Sequence, residues 1–221
     1  MKKSKLIKIL PEETCDELVS ALQTCADWVD GKGTTGLYLK DKKTNLELSP
    51  ESQTFNKVAE AFLKNFNTNP RTNRELMTKR VISWIINRYS EGGKYGSHYD
   101  QEFMPEMSTG EPIRSDYSFT IFLNDNFEGG KLRIGNETVK PKKGYGCFYE
   151  SGIYHSVTEV KSNERFAIVG WIESLIKDHE IREAIFLMED LLSFYIENKT
   201  MQERLYKDLN RAKQIISHKF L

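Results

Sequence analysis

From Arg80 onward the chain is a succession of short β-type segments, and that run limits the possible fold more than any other feature. RVISWIINRY (80–89) is β-branched and aromatic. YSFTIFL (117–123) alternates: Tyr117, Phe119, Ile121 and Leu123 face one way, and Ser118, Thr120 and Phe122 the other. GKLRI, ETVK, YGCFYE, HSVTEV and RFAIVGWI follow, separated by Gly, Asn, Pro or the turn Lys161-Ser162-Asn163. Short strands at this spacing build a sandwich or a barrel.

The flanks read as helices. Pro11 with Glu12 and Glu13 marks a helix start, and Leu18, Val19 and Leu22 give it an apolar stripe. After a polar, glycine-bearing loop (WVDGKGTTG, 28–36), a second helix starts at Ser49-Pro50-Glu51. It carries Phe55, Val58, Ala59, Phe62, Leu63 and Phe66 on one face and ends at the Asn67–Pro70 segment. The tail returns to helix twice. One helix runs from about Asp178 with Ile181, Ile185, Met188 and Leu192, and the other from about Thr200 with Met201, Leu205, Leu209 and Ala212. The expected division is an N-terminal helical support (1–79), a β core (80–173) and a C-terminal helical extension (174–221).

Bulk properties narrow the class. Of 221 residues, 38% are hydrophobic and 29% charged, enough to bury a core and unlike a disordered chain. Lys+Arg and Asp+Glu both total 32, so net charge offers no attraction to nucleic acid or to an anionic membrane, and neither is expected as a partner. Three scattered cysteines without CxxC spacing fit a reducing compartment. Lys8 and Pro11 interrupt the apolar start, and no window approaches a membrane span. A cytoplasmic location is expected.

The chemistry centres on YGSHYDQEF (95–103). In an extended segment His98 and Asp100 project to one face, with Tyr99 opposite. Two imidazoles and one carboxylate on one face of an octahedron, with the remaining positions open, is the arrangement of non-haem Fe(II) oxygenases. A lone HxD is a weak signal and needs a third ligand. His179 sits in a charged run at a helix start, and His218 lies near the C-terminus. His155 opens a strand inside the β core and is the natural third ligand. Ten residues later Arg165 heads an apolar strand, where burial is costly unless an anion pairs with it. A guanidinium matches a carboxylate in bidentate fashion, so a dicarboxylate chelating the metal at one end could reach Arg165 at the other. Residue counting places His155 and Arg165 on neighbouring strands of a hairpin.

These residues, in this order, resemble the Fe(II)/2-oxoglutarate-dependent dioxygenases of the prolyl 4-hydroxylase superfamily. The flanking text resembles the PKHD-type hydroxylases in particular: ADWVDGKGTTG, NRYSEGGKYGSHYD, RSDYSFTIFLND with EGGKL, VKPKKGYGCFYESGIYHSVTEV and NERFAIVGWIESLIKD. The resemblance covers nearly the whole chain.

The resemblance implies an α+β chain: a distorted double-stranded β-helix (a jelly-roll, cupin-like barrel) with packing helices. It implies Fe(II) held by His98, Asp100 and His155, with Arg165 binding the far carboxylate of 2-oxoglutarate. Tyr89 matches a tyrosine that helps bind this co-substrate, and Tyr95 and Trp171 match aromatics lining the iron pocket. It further implies O2 as co-substrate, release of succinate and CO2, and L-ascorbate as an assistant that returns oxidised iron to Fe(II). The substrate is a peptidyl residue, proline first, or alternatively a small molecule or free amino acid. A non-catalytic cupin-like binding module is a third reading, and monomer and homodimer both remain open. Two departures stand out. Lys131 replaces the acid in the family's usual Gly-Gly-Glu-Leu, and the loop 103–112 differs in character from its counterpart.

Overall fold

The computed structural model describes residues 4–198 and 202–220, and these divide into two compact units. One comprises the chain up to Asn69 together with Arg80–Glu173, and the other Pro70–Lys79 and the chain from Ser174 onward.

The first unit is built on two antiparallel sheets. The major sheet has the order β1 (Ser4–Lys8), β13 (Tyr145–Glu150), β9 (Tyr117–Phe122), β16 (Arg165–Ser174), β5 (Thr78–Tyr89), β4 (Leu46–Leu48) and β2 (Trp28–Asp30). The minor sheet runs β12 (Glu137–Val139), β11 (Leu132–Ile134), β14 (His155–Val157), β6 (Lys94–His98) and β3 (Lys43–Thr44). Two small ribbons complete it: β7 (Phe103–Pro105) with β8 (Pro112–Arg114), and β10 (Glu128–Gly129) with β15 (Val160–Ser162). The two main sheets face each other, because one apolar cluster joins Phe122, Cys147 and Tyr149 of the major sheet to Leu132, Ile134 and Val139 of the minor. With its helices this is an α+β jelly roll.

The alternation of β9 explains its place at the centre. Every residue from Tyr117 to Phe122 is buried, because both faces are covered. Phe119 faces outward onto helix α2 (Gln53–Thr68), its ring 5.5 Å from Phe62, and Phe148 of β13 meets Phe66 at 6.2 Å. Each such side chain contributes roughly 1.5–3 kcal/mol by leaving water. Ser118, Thr120 and Phe122 occupy the opposite phase, facing the interior between the sheets. Helix α1 (Glu12–Thr24) buries Cys15, Leu18 and Leu22.

Several local expectations are corrected. The segment 28–36 is not all loop: Trp28 pairs with Leu48 in β2–β4, and a 3-10 turn (Gly31–Thr34) follows. Helix α2 is capped by Ser52, whose hydroxyl accepts from the Thr54 amide at 3.1 Å, and not by Ser49. HSVTEV is broken after Val157: β14 stays in the minor sheet, whereas β15 pairs with β10. His155 and Arg165 therefore lie on opposite sheets and not on adjacent strands. Residues 103–112 belong to an ordered hairpin, β7–β8, turning at Gly110 with φ +74°.

In the second unit, helix α3 (Pro70–Leu76) was not foreseen, and it precedes α4 (His179–Asn198) and α5 (Glu203–Phe220). Helices α4 and α5 are joined by a 3.1 Å Glu189–Lys213 ion pair. The expected start of the last helix at Thr200 and Met201 lies outside the described residues. Among the described residues, no helix is long and apolar enough to cross a membrane.

Candidate metal centre

His98 closes β6 and His155 opens β14, and the antiparallel register sets them directly opposite each other. Their rings lie 4.3 Å apart. Each Nδ1 meets a backbone carbonyl two residues earlier, Gly96 for His98 at 2.8 Å and Ile153 for His155 at 2.9 Å. A carbonyl only accepts, so both Nδ1 atoms carry the proton and both Nε2 lone pairs are left for another partner. Asp100 lies two residues beyond His98, past the end of β6. Its Oδ1 is 3.7 Å from His98 Nε2 and its Oδ2 3.6 Å from His155 Nε2.

The potential ligand atoms of His98, Asp100 and His155 all lie within 4.8 Å of one another. Donors held about 2.0–2.2 Å from a divalent ion stand roughly 3 Å apart at right angles, so small side-chain movements would let all three share one ion. Burial, and next the neighbouring His155, push His98 down to about 4. The imidazole is thus neutral near pH 7, the form that ligates a metal. The donor set fits Fe(II) in chemistry and in placement.

The opposite wall belongs to the major sheet. Arg165 is 0% exposed, and its Nε, Nη1 and Nη2 have no hydrogen-bond partner. Its guanidinium lies over the rings of Tyr89 (5.1 Å) and Phe122 (5.5 Å). Burial lowers its pKa, opposed by Tyr89 and Tyr149. An orphaned buried cation is expensive, and a carboxylate is the group that relieves it. The observed vacancy of partners therefore fits a dicarboxylate such as 2-oxoglutarate. The start of β16 is fixed by Asn124, whose Oδ1 accepts from the Phe166 amide and whose Nδ2 donates to the Glu164 carbonyl. Gly130 (φ +54°) makes room for the arginine stem: a Cβ there would stand 3.0 Å from Arg165 Cδ.

The other aromatics surround these two poles. Tyr95 stacks on His98 at 3.9 Å and shares a 2.8 Å hydrogen bond with the Thr35 hydroxyl. Tyr89 is buried, which raises its pKa. Trp171 is paired opposite Ser118, and its Nε1–H is buried without a partner. Lys131 is exposed, just ahead of β11.

Three residues of the site were not singled out from the sequence. Tyr149, opposite Ser118 on β13, meets His155 edge-on at 5.0 Å. Burial first, and Asp100 second, raise its pKa, while Arg165 opposes the rise, so this phenol senses both walls. Ser118 donates to Asp100 Oδ2 at 2.5 Å, and Ser151 lies 3.1 Å from Ser118. A usable signal existed for Ser118: a polar residue on the inward phase of a strand buried on both faces must find a partner.

Comparisons with known proteins bear on the family and the fold. The profile of the 2OG-Fe(II) oxygenase superfamily matches residues 84–173. A PKHD-type hydroxylase of Alteromonas mediterranea is 30% identical over 215 residues, covering 94% of this chain and 95% of that protein. One from Rippkaea orientalis is 35% identical over 185 residues, covering 81% and 82%. Among solved structures, a Pseudomonas putida prolyl-4-hydroxylase superposes with a TM-score of 0.55 at 17% identity, covering 78% of this chain and 92% of that one. A prolyl hydroxylase from Trichoplax adhaerens, in complex with a hypoxia inducible factor oxygen degradation domain peptide fragment, superposes with a TM-score of 0.53 at 14% identity. It covers 77% of this chain and 83% of that one. The two superpositions speak for the fold, and the relatives in sequence for the family. With 30–35% identity to these relatives over most of both chains, this protein belongs to the PKHD-type hydroxylases, a family of 2OG-Fe(II) oxygenases.

Proposed function

We propose that the protein hydroxylates an unactivated C–H bond of a peptidyl residue, proline being the first candidate, with Fe(II) held by His98, Asp100 and His155. The observation that carries this reading is the unpaired, fully buried Arg165 guanidinium on the wall across from a His/Asp/His cluster. When bound, the iron with 2-oxoglutarate and O2 supplies the oxidation, one oxygen atom entering the substrate and the other leaving in succinate, with release of CO2.

The chain's own residues supply placement. His98 and His155 present neutral Nε2 atoms because their Nδ1 protons are committed to Gly96 and Ile153. Arg165 pairs the distal carboxylate of 2-oxoglutarate, with Tyr89 beside the guanidinium, so the keto-acid end is directed toward the ligand trio. Tyr149, Trp171 and Tyr95 wall the interior and exclude water, and the Trp171 indole N–H is a free donor toward whatever enters.

For the substrate, support comes from the rim. Tyr99 and Tyr154, each adjacent in sequence to a ligand, pack with tilted rings 4.8 Å apart while 63% and 48% exposed, and Phe103 is 55% exposed. Aromatic surfaces of this kind suit an extended, proline-bearing segment. L-Ascorbate is proposed as the reductant that restores Fe(II) after stray oxidation.

The deciding experiment incubates the protein with Fe(II), 2-oxoglutarate, ascorbate and a peptide library, following succinate and a mass gain of one oxygen atom. Peptide hydroxylation coupled to succinate supports the reading. Succinate formation coupled only to free amino acids or small molecules would replace the peptide. No succinate with any substrate, in protein shown to bind metal, would remove the catalytic reading.

A further inference from the structure

We propose that Ser118 is a positioning residue for the Asp100 ligand: its hydroxyl donates to one carboxylate oxygen, Oδ2, and thereby holds the carboxylate turned toward the two imidazoles. The inference rests on the reading of His98, Asp100 and His155 as iron ligands.

Asp100 is the least constrained of the three by the fold. The histidines are locked by strand register and by their Nδ1 hydrogen bonds, whereas Asp100 follows the end of β6 and takes no part in its strand pairing. What holds it comes from the other sheet. Ser118, on β9, is 0% exposed, and its hydroxyl reaches across the interior to Asp100 Oδ2. Behind it Ser151 lies 3.1 Å away, and Ser115 lies 2.7 Å from Ser151. All three serines are buried.

Proton counting decides which acceptor Ser118 serves. A hydroxyl has one proton, and a carboxylate can only accept. The Ser118 hydroxyl is placed to donate to Asp100 Oδ2 and to Ser151, and its one proton goes to the carboxylate, the stronger acceptor, while Ser151 and Ser115 share a hydrogen bond behind it. With Oδ2 held by Ser118, the carboxylate is fixed in rotation with Oδ1 toward His98 Nε2 and Oδ2 toward His155 Nε2.

The strand chemistry is specific to this purpose. The flanking inward residues of the row, Tyr149 and Trp171, are large, and only a small side chain between them leaves space for the carboxylate to approach. Alanine would satisfy the space and lose the donor, which makes the substitution a clean test.

The experiment titrates Mn(II) anaerobically into wild type, Ser118→Ala, Ser118→Thr, Ser151→Ala and His98→Ala, reading free Mn(II) by electron paramagnetic resonance, with thermal unfolding of each metal-free protein alongside. Loss of a partner that orients a ligand weakens metal binding roughly 10- to 100-fold, and that is the expected result for S118A. S118T, which keeps the hydroxyl, restores binding at least in part, and S151A gives a smaller loss than S118A. Wild-type Mn(II) affinity in folded S118A would overturn the proposal, as would S118T binding as weakly as S118A. Should S118A fail to fold, S118T decides: affinity far below wild type in that folded variant, which keeps the hydroxyl, overturns the proposal. Wild-type binding that His98→Ala leaves intact would instead remove the metal site itself, an outcome distinct from failure of Ser118.

Discussion

Tyr95 lies almost flat on His98, the ring centroids 3.9 Å apart and the planes 24° from parallel. Its hydroxyl is held by Thr35, and the Lys43 ammonium, paired with Glu47 at 2.7 Å, sits 4.9 Å from the ring. The segment after β2 thus braces the proposed metal ligand His98 through one aromatic ring. Tyr95→Phe should keep the stack and lose only the hydrogen bond, at a cost of about 0.5–1.5 kcal/mol. Tyr95→Ala should in addition weaken Mn(II) binding several-fold, because the His98 ring loses its backing. Isothermal titration of both variants checks this, and equal Mn(II) affinities for Ala and wild type would show the stack to be irrelevant to the metal.

Arg165 carries an unpaired buried charge, so its replacement should separate two quantities that usually fall together. In metal-loaded wild type, 2-oxoglutarate at about 100 times its Kd should add about 2.7 kcal/mol of stability. For a chain of this length that raises the melting temperature by roughly 5–10 °C. Arg165→Met should abolish the rise while leaving the ligand-free protein as stable as wild type or more so, since the uncompensated cation is gone. Differential scanning fluorimetry with Mn(II) in place of iron reads both, and a retained shift would mean that the co-substrate binds elsewhere.

Gly130 should be intolerant where Gly152 is permissive. A Cβ at Gly130 meets Arg165 Cδ and Val160 Cγ2, each at 3.0 Å, on a backbone at φ +54°. At Gly152 nothing stands within 4 Å of a new Cβ. Gly130→Ala should cost about 1–3 kcal/mol in urea unfolding. It should also reduce the 2-oxoglutarate-induced shift, whereas Gly152→Ala should leave the shift unchanged.

The thiols give a pH signature. Burial raises Cys15 from the ordinary 9.0 to about 11 and Cys147 to about 12. In the unfolded chain both thiols ionise near the ordinary value, while the native ones stay protonated, so the stability they contribute is complete below about pH 9. It is lost progressively as pH rises toward 11 and 12. Urea midpoints measured between pH 8 and pH 11 should fall across that window. In native protein at pH 8, a thiol reagent should react rapidly with half-buried Cys25 alone, and with all three cysteines after denaturation.

The sequence made the strands carrying His98 and His155 and the alternation of 117–123 readable because strand periodicity is strict: one residue's phase fixes the others. Phe119 against Phe62, and Phe122 against Arg165, lie on opposite faces for that reason. The relation between His155 and Arg165 was not readable. Chain separation says how far two residues can be, but not which sheet each joins, and the chain between them breaks off into β15 to pair with β10. The hairpin at 103–114 was hidden as well. Its order comes from distant partners, Arg80 to Glu106 at 3.0 Å and the Met107 amide to the Ile82 carbonyl at 3.1 Å, which no local pattern announces. The Ser118 contact was invisible for the same reason, since Asp100, Ser118 and Ser151 meet only once three separate segments have converged.

The placement of His98 and His155 on one sheet and Arg165 on the other has a mechanical side. Stacked sheets stand about 10 Å apart, held by side-chain packing alone. Any molecule that grips the imidazole pair at one end and the guanidinium at the other rivets the two layers together and sets their spacing. Loading such a rivet should slow amide exchange in β6 and β14 and in β16 in concert, although these strands share no backbone hydrogen bond across the gap. The barrel would then be a vise that closes on its own co-substrate, rigid only when it has something to hold.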